Sequence, residues 1–172
     1  MKTAFKSIVF AAAIIFTLGI VSSFAWAEEI NFTIDSYVTK VETIPLSDAE
    51  GHVLMLGERR GVANFEDGRV AAYHTSYTCD VSKGVGPCEG YSDLTFMDKS
   101  QAFSKWTLTV GIPKGKKMPT LEGTGSWHKG TGAYEGIKGD FSFSGYYITP
   151  YNEVTKGDQV VKVTGSYKLL PK

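Results

Sequence analysis

Residues 121–147 read LEGTGSWHKGTGAYEGIKGDFSFSGYY, and their reading decides the fold. The stretch holds seven glycines, Gly123, Gly125, Gly130, Gly132, Gly136, Gly139 and Gly145, among alternating aromatic and polar residues. Alternation at period two predicts strands over 121–127 and 140–149. Between them, 128–139 reads as an irregular connection with one helical turn near 131–137. Glycine inside a strand marks a bulge, a bend or a close approach of backbones. A sheet that curls closed needs such places, so the stretch points to a barrel.

The same period extends outward in both directions. Residues 30–43 place Ile30, Phe32 and Ile34 on one face. Residues 52–65 and 69–79 flank the hairpin turn Glu66-Asp67-Gly68-Arg69. In the second of these, Tyr73, Thr75 and Tyr77 face one side and His74, Ser76 and Thr78 the other. Strands over 91–97, 101–112 and 158–169 follow, with Trp106, Leu108 and Val110 sharing one face and Val161, Val163 and Tyr167 another. No helical period is sustained after Ala27. The expectation is an all-β fold, an antiparallel β-barrel of about eight strands, calycin-like, with a β-sandwich as the other arrangement. Joining the first strand to the last would remove both exposed edges. A barrel of this size is filled by side chains or holds one small ligand.

Lys2 and Lys6 precede an apolar run over 8–27 that ends Ala25-Trp26-Ala27. This is the pattern of a signal peptide cleaved before Glu28. It makes residues 1–27 a leader and residues 28–172 a single β-barrel domain, exported to the periplasm or secreted. Retained, the same 20 residues would just span a bilayer and anchor the domain. Cleaved, they leave nothing expected to insert stably in a membrane. The chain carries 18 basic and 18 acidic residues. That balance gives no electrostatic case for nucleic acid. The dense basic cluster Lys114, Lys116 and Lys117 reads as a solvated hairpin tip.

Cys79 and Cys88 are the two cysteines. In an oxidising compartment such a pair bridges, here closing a loop that contains Gly84, Gly86 and Pro87. Their spacing is not that of a redox C-x-x-C pair. His52, His74 and His128 lie far apart with no metal-ligand spacing, so no metal and no cofactor is expected. No G-x-S-x-G elbow or phosphate loop is present. His74 reads as an outward polar partner of Ser76 and Thr78, His128 as a solvated loop residue and Glu122 as outward.

The candidate ligand-binding residues are Glu58, Arg59, Tyr73, Tyr77, Tyr91, Trp106, Trp127 and Tyr146. Arg59 and Arg60 point to opposite faces unless Gly57 or Gly61 makes a bulge. An arginine facing the interior needs a carboxylate partner or an anionic ligand. The other reading has both arginines reaching water at a rim. Tyrosine hydroxyls supply the few polar contacts of an apolar small-molecule site, or are satisfied at the rim of an ordinary core.

The segment Gly130-Thr131-Gly132-Ala133-Tyr134-Glu135-Gly136-Ile137-Lys138-Gly139, followed by the alternating strand Phe141-Ser142-Phe143-Ser144-Gly145, resembles the allene oxide cyclase-like and dirigent-like barrels. These families carry GTG-x-[FY]-x-G-x-x-G between late strands. The resemblance implies an eight-stranded antiparallel barrel, often trimeric, with an apolar cavity. Some members cyclise an unsaturated fatty-acid epoxide, whereas dirigent proteins guide radical coupling without oxidising anything. The matched connection carries no catalytic group, so catalytic residues stay unassigned. Three readings follow. The leading one is an exported barrel that binds a small apolar or amphipathic ligand without catalysis. The second is an isomerase or cyclase in the same cavity, with Glu58, Arg59 and Tyr73 as its ionisable candidates. The third is a structural module that forms a homo-oligomer through its outer faces.

Overall fold

Each strand of the computed structural model pairs antiparallel with the next along the chain, and the last pairs with the first. The eight strands are β1 (Glu28–Pro45), β2 (His52–Phe65), β3 (Val70–Ser82), β4 (Gly86–Phe96), β5 (Gln101–Gly111), β6 (Thr120–Thr131), β7 (Ile137–Tyr147) and β8 (Gln159–Leu169). They form one closed barrel in sequence order. The closing pair aligns Phe32 of β1 with Val163 of β8. Closure leaves no sheet edge and excludes the sandwich. The structure describes residues 27–152 and 154–171. The leader expected over residues 1–27 lies outside them apart from Ala27. Among the described residues, no helix is long and apolar enough to cross a membrane.

Period two governs which side chains enter the barrel. On β1, Ile30, Phe32, Ile34, Ser36 and Val38 are buried in alternation. On β8, Gln159, Val161, Val163 and Tyr167 do the same. Where an inward position is glycine, the aromatic directly across the strand pair lies over it. Gly57 faces Tyr77, Gly90 faces Trp106, and Gly123 and Gly125 face Phe143 and Phe141. A Cβ at any of these four glycines would come within 2.5 Å of the facing ring. The rings therefore fold flat against the wall, which leaves space at the centre of the barrel.

One end of the barrel is filled. Phe32 stacks on Phe65 at 4.6 Å between centroids, and Phe96 stacks on Tyr134 at 4.4 Å. Phe65 bridges to Phe96, and Tyr134 to Tyr167. Tyr134 sits on a single 3-10 turn, Gly132–Tyr134, inside the glycine-rich connection. Its hydroxyl accepts from Arg69 Nη1 at 2.6 Å, while the Arg69 guanidinium lies over the Phe65 ring.

Several local expectations are corrected. β6 runs on to Thr131 and β7 begins at Ile137, so the connection is much shorter than 128–139. His128 is in β6, where the β5–β6 register skips it at a bulge beside Phe103 and Ser104. A bulge absorbs one residue without breaking the strand, so the non-alternating Trp-His-Lys run resembled a loop. The region between the cysteines is likewise no open loop. β3 and β4 form a hairpin whose tip lies between Ser82 and Gly86, and Cys79 and Cys88 are direct cross-strand partners. They form a disulfide.

Candidate functional site

The half of the barrel that carries the disulfide contains a cavity. About 730 Å³ is free of atoms, counted out through its opening, and about 70 Å³ accepts the centre of a water molecule. That is room for several waters. Phe32, Ile34, Leu94, Leu108, Leu121, Phe141, Phe143, Val161 and Val163 supply an apolar wall. The polar lining is confined to Arg59, Tyr73, Thr75, Tyr77, Ser92, Ser104, Tyr147, Gln159 and the two indoles of Trp106 and Trp127.

Five of the candidate residues meet in this cavity: Arg59, Tyr73, Tyr77, Trp106 and Trp127. The other three do not reach it, and strand parity is the reason. Glu58 neighbours inward Arg59 and therefore points out, where its carboxylate lies 3.9 Å from His74 Nε2. Tyr91 neighbours inward Ser92 and is 56% exposed, packed against Lys105 and His128. Tyr146 neighbours inward Tyr147 and is 54% exposed. His74 also points outward, but its partner is Asp93 across the β3–β4 pair, at 3.0 Å, and not Ser76 or Thr78. Residues two apart on one strand stand farther from each other than cross-strand partners do.

Ordinary alternation puts Arg59 inside and Arg60 outside, since neither Gly57 nor Gly61 interrupts the β2 register. The irregularity instead lies on β1, between Val38 and Lys40. There the Val38 amide donates to Lys156 O of the β7–β8 connection. Arg59 reaches the same connection: its Nη2 donates to Gly157 O and to Ser36 O at 3.2 Å, and its Nε to Ser36 Oγ at 3.3 Å. The guanidinium lies 5.7 Å from the centroid of the Tyr147 ring.

A second polar group forms a directed relay deeper in the wall. Trp106 Nε1 donates to Ser92 Oγ at 2.8 Å. Ser92 donates to Thr75 Oγ1 at 2.9 Å, and Thr75 donates to Tyr91 O at 2.9 Å. Trp106 Nε1 also reaches Thr75 Oγ1 and Ser92 Oγ also reaches the Tyr73 hydroxyl, both at 3.3 Å, so every hydroxyl of the group has partners and none carries the penalty of unpaired burial. Trp127 Nε1, by contrast, is buried without a partner among the described residues. Burial pushes the phenols of Tyr73, Tyr77 and Tyr147 up; the nearby Arg59 charge opposes this at Tyr77 and Tyr147, and the hydrogen bonds to Ser92 and Thr75 oppose it at Tyr73. The net shift is upward, so all three are proton donors at neutral pH.

Ser36, Ser92, Ser104 and Gln159 carry no mark in the sequence beyond their parity, and Thr75 and Tyr147 share the parity of the inward residues without being candidates for the site. Only the parity signal carried them: each alternates with outward residues, but a buried serine or threonine looks like any other polar strand residue until the barrel closes. Among the described residues, no group of three or more His, Cys, Asp or Glu is arranged to hold a metal.

No protein-family model and no curated protein matches the chain. Among solved structures, the barrel is similar to that of a pterocarpan synthase dirigent protein. The identity is 12% and the TM-score 0.48, over 85% of this chain and 88% of that one.

Proposed function

We propose that this protein is an exported barrel that binds a small amphipathic molecule in the disulfide-end cavity without catalysing its conversion. The observation that carries this reading is the lining itself: an apolar, ring-rich wall with a few clustered polar groups, as small-molecule sites are built. The aromatic cluster of Phe65, Phe96, Tyr134 and Tyr167 at the opposite end bounds the barrel interior on that side, which is compatible with a cavity entered from the disulfide end. The Cys79–Cys88 disulfide is compatible with export.

Among the described residues, the cavity lining contains no carboxylate and no imidazole. Of the three candidates for an isomerase in the same cavity, Arg59 and Tyr73 point inward and Glu58 lies on the outer face. Burial raises the Tyr73 phenol above its ordinary value, which favours binding over proton abstraction. The test is a melting-temperature screen of the mature domain against apolar, aromatic and amphipathic compounds. Upward shifts that grow with concentration are expected; no shift from any compound sinks the reading.

A second reading attaches to the outer face. Ile44, paired with Leu54, and neighbouring Leu56 leave apolar side chains exposed on β1 and β2. Self-association through this face would cover them. Light scattering at high concentration tests it, and a monomer removes it.

A further inference from the structure

We propose that the ligand of this cavity is an anion, a small aromatic body carrying one carboxylate that docks against Arg59. This rests on the ligand-binding reading above and specifies its chemistry. Arg59 is 5% exposed, yet no Asp or Glu among the described residues pairs with it. Its partners among the described residues are two carbonyls, the hydroxyls of Ser36 and Tyr77 and the face of one ring, all of them neutral. Such dipoles satisfy N–H groups but leave the net charge uncompensated. A guanidinium held away from water needs a counter-charge. Among the described residues, the cavity wall beside it supplies none.

The free geometry fits an incoming acid. The hydrogen bonds to Ser36 and Gly157 use Nε and Nη2, and none of them uses Nη1. Arg59 itself belongs to the cavity lining, close to the Tyr77 phenol, which remains a proton donor. Guanidinium and phenol together make a donor set for a carboxylate. Phe141 and Phe143 on the wall give the body of the ligand a ring surface. Holding the β7–β8 connection through Gly157 does not account for the charge, because that bond requires an N–H and nothing more.

The test is titration of the wild-type mature domain, followed by tryptophan fluorescence and calorimetry. The probes are benzoate, phenylacetate and trans-cinnamate, each beside its primary amide, at low and raised ionic strength. The acids are expected to bind at least about tenfold more tightly than their amides, as a charge-assisted pair would give. The preference should survive raised salt, because a buried pair is weakly screened. In Arg59→Gln the acid loses its advantage while the amide still binds. Should that variant fail to fold, the wild-type acid–amide comparison decides alone. An amide that binds as tightly as its acid overturns the anionic proposal and leaves the ligand-binding reading standing. An acid preference that disappears in salt, or persists in folded Arg59→Gln, also overturns it and assigns the charge to surface lysines. No binding of either form of any probe, in a domain whose melting temperature other compounds raise, overturns the anionic proposal alone. If no compound of any class raises it, both readings fall.

Discussion

Gly90 of β4 lies directly across from Trp106 of β5, and the indole occupies the space a side chain at position 90 would take. A Cβ there would stand 2.5 Å from Trp106 Cζ2 and 2.5 Å from the Ser76 carbonyl oxygen. The ring can swing aside but the carbonyl belongs to the β3 backbone. Gly90→Ala is therefore expected to push Trp106 off its hydrogen bond to Ser92 and to distort the β3–β4 ladder. A loss of about 1–3 kcal/mol in urea unfolding follows from such overpacking. A change in tryptophan emission should accompany it, and a variant of unchanged stability and emission would remove this account of the wall.

The two cavity tryptophans should respond differently to the same substitution. Trp106 Nε1 has partners in Ser92 and Thr75, whereas Trp127 Nε1 is buried with none among the described residues. Trp106→Phe leaves the Ser92–Thr75 relay short of a donor, which adds roughly 1–2 kcal/mol to the packing loss. Trp127→Phe removes an unsatisfied donor and pays only for lost packing. Chemical denaturation of both variants is expected to rank Trp106→Phe as the more damaging. The reverse order would mean that the relay contributes nothing to stability.

The disulfide should act as a staple on an already formed hairpin. Cys79 and Cys88 are nine positions apart and cross-strand partners. Closing so short a loop in the unfolded chain stabilises by about 2–3 kcal/mol. Reduction, or Cys79→Ala with Cys88→Ala, is expected to lower the melting temperature while leaving the strand signature in circular dichroism intact. Loss of all β signal on reduction would assign the bridge a larger role than a staple.

At the β1–β2 end, His52 sits between Asp80, 2.5 Å from Nε2, and Asp48, 2.7 Å from Nδ1. The hydrogen bond to Asp80, then that to Asp48, raises the His52 pKa above its ordinary value. The bond to His52 in turn holds the Asp48 carboxyl below the usual carboxylate range. A raised histidine contributes stability in full below its unfolded value of about 6.5, and that contribution is lost as pH rises through the folded pKa. The lowered Asp48 acts in the opposite sense: its contribution is present above about 4 and fades as pH falls through the folded value. Thermal melts from mildly acidic to mildly alkaline pH should show the wild type losing its margin over His52→Gln as pH rises. A margin that does not vary with pH would refute the linkage.

The architecture was legible in the chain because a closed antiparallel barrel is written in period two. Alternation at Ile30, Phe32 and Ile34 and at Val161 and Val163 marks the faces, and Glu66-Asp67-Gly68-Arg69 marks a turn. His52–Phe65 falls on the predicted span to the residue. Those signals are local: a pleated strand sends neighbouring side chains to opposite faces whatever surrounds it. The site was half legible for the same reason. Tyr73, Tyr77 and Trp106 share the parity of buried neighbours, while Glu58, Tyr91 and Tyr146 carry attractive chemistry on the wrong parity.

What only the tertiary structure decided is which of the inward positions leave a void and what the polar ones touch. The strand alternation cannot tell that Phe65, Phe96, Tyr134 and Tyr167 gather at one end, because these residues come from three hairpins and the last strand. Nor can it tell that Arg59, Ser36 and Gly157 meet, since they are separated by 23 and 98 positions. The β1 bulge and the return of the β7–β8 connection bring them together. Burial of a charge depends on everything packed around it, so an interior guanidinium with no carboxylate partner among the described residues becomes visible only once the barrel is closed.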